Sequence, residues 1–127
     1  MESTQIDDWL APFCLDKGIH AHVAAVLANL PTDVRTDLMD DPSFTLCDYA
    51  PGPNITLHVP MRLDNPGHPG RSVVLKRTIL SRPTSFARWV IAHELAHAYL
   101  RHGSRHPHEN PEQSADYLAA QWGFPKP

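Results

Sequence analysis

Only two cysteines occur in 127 residues, Cys14 and Cys47, and they form no CxxC pair. A scaffold stapled by disulfides and a thiolate-rich metal site are thereby set aside, and both residues are expected as free, buried thiols. Long apolar runs are missing too: none approaches the roughly 18–20 residues that cross a bilayer. The acidic start, MESTQIDDWLAPF, lacks the basic and apolar regions of a secretory leader, so a cytoplasmic protein is expected. Nor is there an excess of positive charge. The net value of −3 gives no electrostatic footprint for nucleic acid, and neither nucleic acid nor a membrane is expected as a partner. Repeats and low-complexity tracts are absent as well.

What is present suits one globular domain spanning residues 1–127. Apolar residues make up 42%, close to the globular average and enough for a single core. Charge is unevenly spread. Residues 1–48 carry nine acids against Lys17 and Arg35, whereas residues 71–105 carry seven bases against Glu94 alone. A solvated face is the ordinary reading of such a stretch, and an acidic partner or substrate segment is the other. Nine histidines are many for this length, and thirteen prolines mark loops between strongly periodic segments.

Residues 1–50 read as helical with a first strand. Ile6, Trp9, Leu10 and Phe13 suggest a short helix disturbed by Pro12. Ile19, Val23, Val26, Leu27 and Leu30 share one helical face that Pro31 ends, and Thr32 can cap a brief helix carrying Val34 and Leu38. His20 and His22 are expected as surface or packing residues. Phe44–Tyr49, Asn54–Pro60 and Ser72–Leu80 read as three strands, with a turn-rich loop, PMRLDNPGHPG, before the last. From Thr84 the period becomes helical, with Ser81, Thr84 or Ser85 as cap, Pro83 in the first turn and Gly103 at the end. After SRHPHENP a final helix is expected over roughly Pro111–Trp122, ended by Gly123 and Pro125.

The chemistry lies in His93-Glu94-Leu95-Ala96-His97, an HExxH pattern. Two imidazoles four residues apart lie on one helical face and can converge on one zinc ion. Glu94 cannot ligate beside them, but its carboxylate can reach a water molecule and act as general base. Phe86, Val90, His93, His97 and Leu100 form one stripe with the histidines in its middle. Trp89, Ala92, Ala96 and Tyr99 form another, suited to burial against the sheet. A structural zinc site would close with four Cys or His ligands and has no use for a Glu between two histidines.

Downstream candidates for a third ligand are His102, His106, His108, Glu109, Glu112 and Asp116. His102 lies about 140° round the helix from His97, and Leu100 stands where an HExxHxxGxxH pattern needs Gly. Glu112 is best placed, because it opens a helix that can pack back on the first. Asp116 follows one turn later, positioned to accept the outer N–H of a ligating imidazole. For a donor to the developing oxyanion, His106, His108, Arg105 and Tyr117 are candidates, while Tyr99, about 200° round from His97, is poorly aimed.

The stretch RPTSFARWVIAHELAHAYLRHG, followed by PEQSADYLAAQWGFP, resembles the ImmA/IrrE metallopeptidases, which are gluzincins. Glu112, Ala115, Ala119, Ala120 and Pro125 fall on that family's second pattern, E-x-x-A-N-x-F-A-A. Asp116 stands here for its Asn and Leu118 for its Phe. The likeness covers about residues 72–125. It implies a zincin-like α+β domain: a small three-stranded sheet on the HExxH helix, with N-terminal helices and a C-terminal helix. It also implies zinc on His93, His97 and Glu112, with Glu94 as base, hydrolysing peptide bonds of a protein substrate such as a repressor-like regulator. The alternatives are a catalytically silent zinc-binding interaction module of the same fold and a zinc hydrolase of non-peptide amides.

Overall fold

A computed structural model describes residues 2–49, 72–100 and 110–127. The order is α1 (Glu2–Leu10), α2 (Lys17–Asn29), α3 (Thr32–Met39), β1 (Thr45–Tyr49), β2 (Ser72–Lys76), α4 (Thr84–Leu100) and α5 (Pro111–Gln121). The protein is α+β and mostly helical. Its two described strands run parallel, with Thr45 opposite Ser72 and Tyr49 opposite Lys76. The strand expected over Asn54–Pro60 lies outside the described residues, as does the expected end of α4 at Gly103. Among the described residues, no helix is long and apolar enough to cross a membrane.

Local chemistry sets the ends of these elements. Pro12 stops α1, and Ala11–Phe13 continues as a single 3-10 turn that leaves Cys14 in the left-handed region at φ 53°. Cys14 is therefore exposed and Cys47 half-buried, a correction to the expectation of two buried thiols. Asp16 caps α2 by accepting from the Gly18 amide at 3.0 Å. The amide of Asp16 itself donates to Asp48 Oδ2 of β1 at 2.7 Å. Thr32 is not a cap: it is already helical, and Pro31 precedes α3 in an extended conformation with no side-chain bond.

The last predicted strand is shorter than expected. Val73 and Leu75 fill the buried face of β2, and the next residue on that face is Arg77. A guanidinium cannot continue an apolar stripe without a partner. Arg77 instead pairs with Asp48 at 3.1 Å, and the chain turns into a 3-10 segment, Arg77–Ser81, that buries Ile79. Ser81 bonds back to the Thr78 carbonyl at 2.8 Å and so closes this turn rather than capping α4. Pro83 sits just outside α4, where its carbonyl accepts from Ala87 N–H at 3.1 Å.

A single cluster of buried side chains joins the elements, and α4 runs through it. Its deepest stripe is Ala87, Ile91, Leu95 and Ala98, spaced four, four and three residues apart. Ala92 and Ala96 are also fully buried, but Trp89 and Tyr99 of the same expected stripe are only half-buried. Helix α4 packs against α2, α3 and β2, and most extensively against α5. On α5, Ala115 and Ala119 are fully buried, and small side chains of this kind let two helix backbones approach closely. An edge-on pair, Tyr99 and Trp122 at 6.3 Å, lies at the far end of this contact.

Helix α5 is closed at both ends. The Asn110 side chain accepts from the amides of Glu112 and Gln113 at 2.8 and 3.3 Å, with Pro111 in the first turn. At the other end Gly123 takes φ 97°, its amide bonds to Ala120 O and the Phe124 amide to Ala119 O. That is a Schellman closure, with Phe124 buried after it. Both ends being fixed, the acidic residues of α5 have a defined position relative to α4.

Candidate metal centre

His93 and His97 occupy successive turns of α4, and their rings meet edge-on with centroids 4.7 Å apart. Their Nε2 atoms are separated by 3.1 Å. The Glu112 carboxylate arrives from the first turn of α5, placing Oε2 at 2.9 Å from His93 Nε2 and Oε1 at 3.1 Å from His97 Nε2. The imidazoles are well covered, with 12% and 18% of their side chains exposed, whereas Glu112 is 69% exposed. The two imidazoles are thus largely covered, and the carboxylate reaches them from the exposed side.

The other nitrogen of His93 is also engaged. Its Nδ1 lies 2.8 Å from Asp116 Oδ1, one turn along α5 from Glu112. The same oxygen accepts from Trp89 Nε1 at 3.3 Å. Trp89 is four residues before His93 and therefore on the same helical face, where the two rings tilt together at 5.6 Å. Lys126 Nζ covers the Trp89 ring at 5.4 Å.

This donor set fits a cation. An ionised carboxylate only accepts, so Asp116 keeps the proton of neutral His93 on Nδ1. Nε2 is left with a lone pair facing a carboxylate oxygen and a second imidazole nitrogen. That lone pair and an ionised Glu112 oxygen cannot hydrogen-bond to one another, and a metal ion between His93 Nε2, His97 Nε2 and Glu112 would satisfy all three groups at once. The separations of 2.9–3.1 Å are a few tenths of an ångström below the ~3.3 Å edge of a tetrahedron with zinc-like bonds. Small outward shifts of the exposed Glu112 carboxylate and of the two rings would accommodate the ion. Among the described residues, His93, His97 and Glu112 are the group able to hold a metal.

Comparison with protein-family models, with curated proteins and with solved structures gives no match. The chemistry must therefore be read from the residues themselves.

Glu94 follows His93 on α4, about 100° round, and is half-buried. Among the described residues no side chain hydrogen-bonds to it. Tyr117 is 44% exposed on α5, about 140° round from Glu112 and thus turned away from the cleft. His106 and His108, the other candidate donors, lie outside the described residues, as do Arg105, His102 and Glu109. His20 bonds Asp7 at 2.9 Å, and His22 receives Arg88 Nε at 3.4 Å, so both take part in packing between helices. Burial, and then the Arg88 charge, hold His22 below the usual histidine range.

Two contributors escaped sequence reasoning. Trp89 looked like one more apolar residue of α4, although its spacing of four from His93 was there to be read. Asn110 reads as part of the loop SRHPHENP, although Asn followed by Pro before a helical run marks a cap and first turn.

Proposed function

We propose that this chain is a zinc-dependent peptidase of zincin-like fold, acting on peptide bonds of a protein substrate. The observation that carries the reading is the convergence of His93 Nε2, His97 Nε2 and the Glu112 carboxylate within 2.9–3.1 Å. His93, His97 and Glu112 are the residues that would hold zinc. The ion's chemistry there is Lewis acidity: it polarises a carbonyl and makes water acidic near neutral pH. Three protein donors suit a catalytic centre, which keeps a position open. The ImmA/IrrE likeness, and a regulatory protein as substrate, go with this reading.

The chain's own residues divide the remaining work. Asp116, by accepting from His93 Nδ1 and Trp89 Nε1, holds the imidazole in one tautomer and one orientation. Glu94 is the general base: its carboxylate takes a proton from water as that water attacks the carbonyl, then hands it to the leaving amine. Buried Leu95 and Ala96 anchor the segment between the histidines, so the two rings and Glu94 keep their mutual phase.

The test uses purified protein loaded with one equivalent of zinc and a library of unstructured peptides. Cleavage is expected, and Glu94→Gln should lower it by about 10²–10⁴-fold while metal content stays unchanged. Full metal loading with no cleavage by the natural chain would overturn the enzymatic reading and leave a zinc-binding module.

A further inference from the structure

The basic stretch noted in the sequence has a structural counterpart beside the centre. A groove of about 360 Å³ lies between the end of β2, the 3-10 turn after it and the first half of α4. Its floor is apolar, formed by Ile79, Phe86 and Val90; its rim carries Lys76 and Arg82, and among the described residues no carboxylate lines it. Positions 86, 90, 93 and 97 are spaced four, three and four apart, so they share an arc of about 60° on α4. Val90 stands about 4.5 Å and Phe86 about 10.5 Å along the axis from His93. Phe86 and Val90 of the groove floor therefore share one face of α4 with the two imidazoles.

Among the described residues, no carboxylate neutralises the two rim charges. Arg77 is held by Asp48 at 3.1 Å. Lys76, in contrast, is exposed and has no ion pair among the described residues. Arg82 lies over the Phe86 ring at 4.3 Å and meets no carboxylate among the described residues. An apolar floor beneath two uncompensated cations complements an apolar side chain flanked by carboxylates, and it repels a basic segment. A long polyanion is a poor occupant, because the chain has net charge −3 and nine acids within residues 1–48.

We propose that this groove binds an acidic stretch of a protein substrate, seating an apolar side chain on Phe86 and Val90 and carboxylates at Lys76 and Arg82. The adjoining peptide bond then lies over His93, His97 and Glu112. The inference names the substrate class of that centre and rests on the peptidase reading.

Binding is measured by fluorescence anisotropy on zinc-loaded Glu94→Gln protein, using short dye-labelled peptides that place Leu between Glu, Lys or Gln neighbours. The Glu peptide should bind on the order of tenfold more tightly than the Gln peptide, as two exposed ion pairs allow. The Lys peptide should bind weakest, and added salt should narrow the gaps. Lys76→Gln with Arg82→Gln should remove the ranking, and Lys76→Glu with Arg82→Glu should invert it. Equal affinities, a ranking that survives charge reversal, or a single-stranded oligonucleotide binding as well as the Glu peptide would each overturn the proposal. Cleavage by the natural chain is scored separately. Acid-selective binding without cleavage sinks the peptidase reading and keeps the groove's preference; cleavage without charge preference does the reverse.

Discussion

Asp116→Ala is the sharpest probe of how α5 serves α4. The carboxylate is not one of the three metal-holding groups, yet its Oδ1 accepts from His93 Nδ1 at 2.8 Å and from Trp89 Nε1 at 3.3 Å. Without it, His93 can place its proton on Nε2, the atom that faces Glu112 and His97, and each such tautomer is unable to ligate. Losing an outer partner of a ligating histidine typically lowers metal affinity by about 10–100-fold, or ~1.4–2.7 kcal/mol. Asp116 is 37% exposed, so water can replace part of what is lost, and the lower half of that range is expected here. Asp116→Asn keeps an acceptor but drops the charge, and its loss should stay below about tenfold. Zinc affinity is read by competition against a chromophoric chelator, with thermal unfolding of the metal-free variants as the check that they fold. A folded Asp116→Ala protein that binds zinc as tightly as the natural chain would refute the assigned role.

Three further outcomes are expected. Asn110→Ala removes the bonds to the Glu112 and Gln113 amides; it should cost about 1 kcal/mol in urea unfolding of the metal-free protein, and zinc affinity should fall with it because Glu112 rides on that turn. Leu95→Ala, at a site 1% exposed in the middle of α4, should cost ~2–5 kcal/mol in the same assay. His22 is held below its ordinary pKa by burial and by Arg88, so the unfolded chain takes up its proton first as pH falls. Its contribution is whole above about pH 6.5 and is lost as pH drops toward the lowered folded value. Unfolding free energy should therefore decline less between pH 7 and 5 in His22→Gln than in the natural chain; equal slopes would contradict this.

Much of the helical framework was legible because its signals are local. The apolar spacing of Ile19, Val23, Val26 and Leu27 finds α2 to within two residues at its start, where Asp16 sets the boundary. Pro12 and Gly123 end helices for reasons of backbone geometry that hold in any context. Strand length was less legible. Ser72–Leu80 carries β-branched residues in both halves, Val73 and Val74 and then Thr78 and Ile79, and only the partnership of Arg77 with Asp48, twenty-nine residues earlier, explains why the strand stops at Lys76. The fate of Cys14 likewise followed from a turn geometry that composition does not encode.

By itself the sequence determined that His93 and His97 share a helix face, that Glu94 is offset from them, and that Glu112 and Asp116 share a face of their own, since each pair is four residues apart on an α-helix. Tertiary structure alone decided that the two faces meet. Helices α4 and α5 pack together, each carrying fully buried alanines (Ala92 and Ala96, Ala115 and Ala119), and that packing brings a carboxylate nineteen residues from His93 to 2.9 Å. It likewise decided that Phe86, Val90, Lys76 and Arg82 line one groove, because spacing within an element is fixed by the backbone, whereas spacing between elements depends on which side chains exclude water together.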